Sequence, residues 1–347
     1  MKVIKTILIT LACITTVATS AKVLSADDII WARYGDIDTL DPHRSTSTLS
    51  MQVWNQIYEP LLARDSEGNI GPNLAKSYSV SGDGLTVSFA LNDNIKCHDG
   101  SEFTSKDVIF TYERAFSTSN PSNTKSAWGP IKDVKANGEL AVEFTFNTPF
   151  GAFIPFMADP FASMICDSNE KLGKSYGTTA AVGTGAWKLD NWVKGDKIEL
   201  SRNDSYINLG RLADNKGAPK MKRLIIKVMP EGQARLAALQ TGEVHIAEPP
   251  LESVDAVKSN PKLDLFMADN TGQDVFFEFA ISRPPFNDVR ARQAVAYAID
   301  PDMALDIVFE GLVTREYCTV AQGVMGNDPD FCKSVGYKYN PEKAKEL

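Results

Sequence analysis

Between Leu85 and Leu91 apolar and small residues alternate strictly, with Leu85, Val87, Phe89 and Leu91 set against Thr86, Ser88 and Ala90. A period of two puts every second side chain on one face of a strand, so this segment requires a sheet that buries one side. Gly82, Asp83 and Gly84 precede it as a turn cluster able to take positive φ, and SYSVS lies before them, so two strands joined by a tight turn are expected. The period then changes. Thr104 and Asp107 have the spacing of a capping box, with Asp in place of the usual Glu, and Val108, Phe110, Tyr112, Ala115 and Phe116 supply the apolar side of a helix. A second strand pair near Ile131 to Val134 and Ala141 to Phe146, with a Phe-rich segment from Phe150 to Phe161, completes a region that can stand as a lobe of its own.

The flanking regions read differently. Ile29 to Arg33 forms a strand, the loop YGDIDTLDP turns at Pro42, and a helix follows, capped by Ser47 or Thr48, with Leu49, Val53, Trp54 and Ile57 on one face. From Gly183 the order is strand, strand, loop, strand and helix: GAWKL, KIELSRN, RLIIKVM and ARLAALQ, ending at Gly242 in the C′ position. The first strand is expected to join this region in an interleaved α/β domain. A strand-rich stretch from Leu265 to Phe279 leads to a helix beginning near Asp288, a second after Asp300 and Pro301, and a third after Asn340 and Pro341. After that last start only Glu342 to Leu347 follow, too short a helix to gain much without docking partners.

Composition sets the class. With 43 % hydrophobic and 23 % charged residues, the 347-residue chain is globular rather than disordered, and its length allows two or three domains. Lys2 and Lys5 precede an apolar run from Ile7 to Ala18, followed by Ser20, Ala21, Ser25 and Ala26, which is the pattern of a signal peptide over residues 1–26. Cleavage is expected after Ala26, with Ser20 or Ala21 as alternatives. A membrane anchor needs about 20 apolar residues, and Thr10, Thr15, Thr16, Thr19 and Ser20 interrupt this run. Cys13 lacks the Leu three residues back that a bacterial lipobox prefers. Loss of a lysine-bearing leader makes a chain of net charge −8 more acidic still, which excludes nucleic acid as a partner for want of a basic stripe. Four cysteines remain in a compartment where disulfides persist. Cys318 and Cys332 flank a Gly/Asn/Asp/Pro-containing loop and are expected to pair, and none of the four has the CxxC spacing of a zinc or redox site.

Catalytic signals are sparse. The three histidines, His43, His98 and His245, lie in no HExxH, and neither GxSxG nor GxxxxGK[ST] occurs. Ser168 and Lys171 form SxxK without the SDN and KTG that accompany it in penicillin-interactive enzymes. The glycines of VGTGAWK precede a strand where a dinucleotide fingerprint must follow one, so Gly183 and Gly185 are read as permitting a tight turn. Asp36, Asp38 and Asp41, and again Asp65, Glu67 and Asn69, invite calcium but lack EF-hand spacing, and solvated turns are the better reading. His98, Asp99 and Gly100 form a turn between strand and helix in which His98 makes a structural hydrogen bond. Trp187, Trp192, Phe276 and Phe277 line either a pocket or the core. No catalytic residue, metal or cofactor is expected.

Five stretches together resemble the extracytoplasmic solute-binding proteins of family 5, which include the periplasmic oligopeptide- and dipeptide-binding proteins. They are LDP at Leu40 to Pro42 with IYEPLL at Ile57 to Leu62; the run from Pro72 to Val108; VGTGAWKL at Val182 to Leu189; RLAALQTGEV at Arg235 to Val244; and PPFNDVRARQAVAYAID at Pro284 to Asp300. The resemblance implies a two-lobed α/β fold of the periplasmic-binding-protein type II class with an extra β-rich subdomain. Residues 27–67 and 177–267 would form lobe I, 68–176 the subdomain, 268–272 the hinge, and 273–347 the start of a truncated lobe II. Closure of such lobes around a ligand is binding, not catalysis. Ala280 stands where many relatives have Asn, and Cys97 where an aromatic residue precedes HDG.

The expected ligand-facing residues are Gly35, Asp36 and Asp38, Ala162 and Ser163, Gly183 and Thr184, and Asn270 and Thr271, because loops at strand ends face the crevice of an open α/β sheet. Ordinary turn chemistry is the competing reading for each. The function implied is capture, by a periplasmic monomer, of a peptide or small-molecule ligand for the permease subunits of an ABC importer in the inner membrane. Nickel complexes, opines, haem or glutathione are the alternative cargoes. A non-functional product of a broken gene and a secreted hydrolase are the alternative functions.

Overall fold

The computed structural model describes residues 27–347 except 66, 119–120, 211–214, 268–274, 323 and 325. The expected leader, the expected hinge, Asn270 and Thr271 therefore lie outside the described residues. The chain divides into two compact units, one comprising the chain up to Trp31 together with Gly35–Val228, the other Ala32–Tyr34 with Met229–Leu347.

The first unit contains β1 (Asp28–Arg33, its last residues counted with the other unit), α1 (Thr48–Trp54), β2 (Leu62–Arg64), β3 (Ile70–Pro72), β4 (Ala75–Val80), β5 (Thr86–Leu91), α2 (Ser105–Ala115), β6 (Ile131–Ala136), β7 (Ala141–Phe146), α3 (Phe153–Phe156), β8 (Trp187–Val193), β9 (Lys197–Arg202) and β10 (Arg223–Val228). Two sheets organise it, each over its own core. In the first, β1, β10, β9 and β8 lie side by side, so the strand that opens the described chain does join the strands after Gly183. Against this sheet α1 and the turn after it lay Val53, Trp54, Ile57 and Tyr58, which meet Ile198, Leu200, Leu224 and Ile226. Trp54 also meets the Phe161 ring edge-on at 5.6 Å.

The second sheet runs β4, β5, β7, β6, antiparallel throughout, with β4 and β6 at its open sides. The alternation in the sequence is its cause: β5 turns Val87, Phe89 and Leu91 inward, and β7 turns Val142, Phe144 and Phe146. Phe153 fills the space between them, 5.0 Å from the Phe144 ring and 4.8 Å from Phe146. Each such ring fully buried contributes about 1.5–3 kcal/mol. Helix α2 buries Val108, Thr111 and Ala115, and it starts where the capping box places it, with the Thr104 N–H donating to Asp107 Oδ2 at 2.7 Å. A disulfide, Cys97–Cys166, closes this subdomain with a Cα separation of 6.3 Å. The near-neighbour logic that singled out Cys318 and Cys332 left this pair unassigned.

The second unit holds α4 (Gly232–Thr241), β11 (Ile246–Ala247), α5 (Val254–Lys258), α6 (Val289–Ala298), α7 (Pro301–Phe309), α8 (Pro329–Val335) and α9 (Pro341–Glu346). Its helix starts follow side-chain chemistry. Asp288 accepts from the Arg290 N–H, Asp300 from Met303 and Asn340 from Lys343, and Pro stands in the first turn of α7 and α9. Helix α4 ends on Gly242, which takes a left-handed φ of 77°. Arg235 ties α4 down by donating from Nη1 to the Met229 and Pro230 carbonyls at 2.7 and 2.8 Å and from Nε to Glu248 at 3.0 Å. Cys318 and Cys332 are joined, with Cα atoms 5.2 Å apart.

One expectation for this unit is corrected. Residues 265–267 and 275–279 of the expected strand-rich stretch carry no strand, and Val275 and Phe277 are 97 % and 79 % exposed. A strand exists only as a pairing of backbone groups, and these residues pair with no described strand. Composition alone reads them as β.

Candidate functional site

Most of the expected site residues belong to three loops of the first unit. The loop after β1 is held by its own aspartates. Asp36 accepts from the Trp192 indole N–H at 3.2 Å, from Gly195 N–H at 2.7 Å and from Ile37 N–H at 2.8 Å. Asp38 is exposed and accepts from Ser45 Oγ at 2.8 Å and from Ser50 Oγ. Asp41 turns away to pair with Arg114. The three carboxylates thus serve separate donors and do not converge on one point. Asp65 likewise closes its turn by accepting from the Glu67 and Asn69 N–H groups. Gly35 is half-buried, and a Cβ there would approach Leu49 Cδ1 to 2.8 Å.

Ala162 and Ser163 are fully buried. Ser163 Oγ donates to the Pro160 carbonyl at 2.7 Å, and its own carbonyl meets His43 Nε2 at 3.1 Å. In this conformation they support the loop from within. Trp187 is core and Trp192 packs against the core, whereas Phe276 and Phe277, in the second unit, are exposed. Ser168 is half-buried while Lys171 is exposed, so SxxK forms no buried catalytic pair.

The third loop, residues 182–185, is the most constrained. A Cβ on Gly183 would overlap the Ile57 carbonyl oxygen, and one on Gly185 would lie 2.7 Å from the Gln56 oxygen, so both positions require glycine for close backbone approach. Gly185 N–H donates to Ile57 at 2.8 Å. Thr184, 3 % exposed, donates from Oγ1 to Glu59 Oε2 at 2.8 Å, and Tyr206 OH donates to Glu59 Oε1 at 3.2 Å. Burial outweighs the help of Thr184, Tyr206 and Asn73 and pushes the Glu59 carboxyl up to about 7. Glu59 escaped the sequence reading as a site residue, although it stands inside IYEPLL, one of the stretches that carry the resemblance.

Two histidines brace these loops as neutral rings. His98 Nδ1 accepts from Gly183 N–H at 3.3 Å while Nε2 faces the Gly185 carbonyl at 2.9 Å, which fixes the tautomer with the proton on Nε2. Burial pushes both His98 and His43 down to about 4. A base whose folded pKa lies below its unfolded value near 6.5 contributes stability that is fully present above pH 6.5 and is withdrawn as pH falls toward 4. For His98 this is on the order of 2–3 kcal/mol. The stability of the protein relative to its His98→Gln variant is therefore expected to fall by that amount between pH 7 and pH 4.5. Parallel pH dependences in urea unfolding would count against a neutral buried His98.

Among the described residues, a shallow apolar groove between α6 and α9, lined by Ala294, Val295, Ala298, Pro341, Ala344 and Lys345, contains none of the expected site residues. Cys97, Asp107 and Cys166 lie close enough to share an ion, but the two sulfurs are bonded to each other and both Asp107 oxygens accept backbone N–H groups. No described helix is long and apolar enough to cross a membrane.

An α/β unit built on an open sheet, with a β-rich subdomain inserted before the glycine loop, has the architecture of the type II periplasmic binding proteins, and the solved structures agree. The oligopeptide-binding protein AppA from Bacillus subtilis, in complex with a nonapeptide, superposes with a TM-score of 0.80 at 23 % identity, over 92 % of this chain and 62 % of that one. The binding protein AgaA from A. tumefaciens R10, in complex with agropinic acid, gives 0.78 at 26 % identity, over 92 % and 63 %. Residues 69–347 match the description of the bacterial extracellular solute-binding proteins, family 5, and the chain belongs to that family. The glutathione-binding protein GsiB of Escherichia coli K12 is 31 % identical over 328 residues, which is 93 % of this chain and 61 % of that protein. The chain thus spans about three fifths of the length of the curated relatives it matches.

Proposed function

We propose that this chain captures a small peptide-class solute, with glutathione the first candidate, for the permease subunits of an ABC importer, and that it does so as a periplasmic monomer exported by residues 1–26. The observation that carries this reading is the 31 % identity to a glutathione-binding protein over nearly the whole chain. The domain scheme proposed with it has lobe I at 27–67 and 177–267, the subdomain at 68–176, a hinge at 268–272, and 273–347 in the second lobe. Gly35, Asp36, Asp38, Gly183 and Thr184, supported by Ala162 and Ser163, would face the solute together with Asn270 and Thr271. Rigid loops suit such a role, because a loop already fixed in its bound shape loses little entropy when the ligand arrives.

The chain is proposed to do no chemistry. Its buried imidazoles and its Glu59 carboxyl are occupied by structural hydrogen bonds, and the relatives named above are binding proteins. The test is a thermal-shift titration of the purified protein with glutathione, a mixed short-peptide pool and an opine. A ligand present at a hundred times its dissociation constant adds about 2.7 kcal/mol to the stability of the folded state, so a clear rise in midpoint with glutathione or the peptides is expected. A rise with the opine alone would reassign the solute class, and no rise with any probe would overturn solute capture by this chain.

A further inference from the structure

The 182–185 loop is held from one side by the Gln56 and Ile57 backbone and from the other by two residues that sit next to the Cys97–Cys166 disulfide. Asn169 lies one turn after Cys166. Its Oδ1 accepts from Val182 N–H at 2.9 Å, and its Nδ2 donates to the Val182 carbonyl at 2.6 Å. The same Nδ2 and the Asn169 N–H also donate to the Cys166 carbonyl, at 2.8 and 3.1 Å. His98 directly follows Cys97. Its N–H donates to the Gly183 carbonyl at 2.8 Å, its Nδ1 accepts from Gly183 N–H, and its Nε2–H donates to Gly185. Five hydrogen bonds from two side chains and one amide thereby satisfy the backbone polar groups of Val182 and Gly183 and the carbonyl of Gly185.

We propose that the Cys97–Cys166 disulfide, through its neighbours His98 and Asn169, is the positioning device of the 182–185 loop. The two clamps come from segments 69 residues apart in sequence, and a jaw made of two such segments grips only while they are held in register. Cys97, Cys166 and Asn169 are each at most 3 % exposed, so the clamp is part of the folded interior rather than a surface staple. The loop has no slack on its far side, since Gly183 and Gly185 already touch backbone. A small separation of the two jaws must therefore be taken up at Val182 and Gly183. His98 and Asn169 are positioning residues, and Thr184 is the group they hold in place. The positioning itself is independent of ligand identity, while its consequence for affinity rests on the solute-capture reading above.

The experiment is residue-resolved amide hydrogen exchange on the whole protein and on the Cys97→Ala/Cys166→Ala variant. Exchange reports local opening, so a loop released from its clamp loses protection while the sheet around it keeps its own. Val182 and Gly183 are expected to exchange about tenfold faster or more in the variant, with Gly185, whose N–H goes to Ile57, and the β5–β7 ladder within about twofold of their original rates. Replacing Cys318 and Cys332 instead should leave residues 182–185 unchanged. Equal acceleration throughout the subdomain, or none in the loop, overturns the proposal. If the double variant does not fold, Asn169→Ala and His98→Ala decide it with the disulfide intact. The first should release the Val182 amide and the second the Gly183 amide, and release of neither would be fatal. A last arm measures glutathione binding by Asn169→Ala at a temperature where both proteins are fully folded, and weaker binding by the variant is expected. If the unaltered protein binds no glutathione, solute capture fails while the exchange result still decides the clamp.

Discussion

Replacing Asp41 with alanine is expected to lower the unfolding free energy by about 3–5 kcal/mol, because it strands a largely buried guanidinium. Arg114 Nη1 donates to Asp41 Oδ1 at 3.1 Å and Nη2 donates to Oδ2, and the two side chains are 19 % and 5 % exposed. The guanidinium also lies 4.6 Å from the Tyr176 ring centre, and Asp41 Oδ1 takes the His43 N–H at 3.1 Å. This pair ties the loop before α1 to α2, so its loss is felt in both cores. A well-packed apolar pair in the same space can be neutral or better. The Asp41→Ala/Arg114→Met variant should therefore recover most of what Asp41→Ala loses. Urea unfolding of the three proteins checks this, and a single-variant loss below about 1 kcal/mol would contradict a buried, mutually dependent pair.

Glu59→Gln is expected to stabilise the protein at pH 8 by on the order of 2–3 kcal/mol and to do nothing useful near pH 4. The sign follows from a folded-state pKa raised from 4.5 to about 7. Between those values the folded protein holds a proton that the unfolded chain has released, so stability declines as pH rises through this window, and the whole penalty is present above pH 7. Glutamine stays neutral throughout while keeping an acceptor for Tyr206 and a donor toward Thr184. The check is the difference in unfolding free energy between the two proteins from pH 4 to pH 8. A difference that is flat, or that shrinks with rising pH, would show that Glu59 ionises freely in the folded state.

These two residues also show where sequence reading stops. Local chemistry was legible: the alternation in β5, the Thr104/Asp107 box, the Asp and Asn caps of α6, α7 and α9, and Gly242 each announce themselves within a few residues, because hydrogen bonding and backbone conformation act at that range. Strand β4 was recognisable only from its turn, since every residue after Ala75 is exposed and no period marks a buried face. The links that assemble the candidate site span long stretches of chain. His98 reaches Gly185 across 87 residues, Asp41 reaches Arg114 across 73, and Thr184 reaches Glu59 across 125. No periodicity reports such pairings. The Cys97–Cys166 bond had one usable signal: with Cys318 and Cys332 joined, two thiols remained for an oxidising compartment.

The order of the subdomain sheet bears on how the protein avoids pairing with other chains. Its two open sides are β4 and β6, and an open strand offers unpaired backbone groups to any passing extended chain. Both carry lysine where such a chain would have to lie: Lys76 on β4, and Lys132 and Lys135 on β6, all exposed, with Asp133 between the latter two. A neighbouring copy that tried to extend the sheet would set its own lysines beside these and strip water from both. The open sides of this sheet are thus kept from serving as a template for another chain.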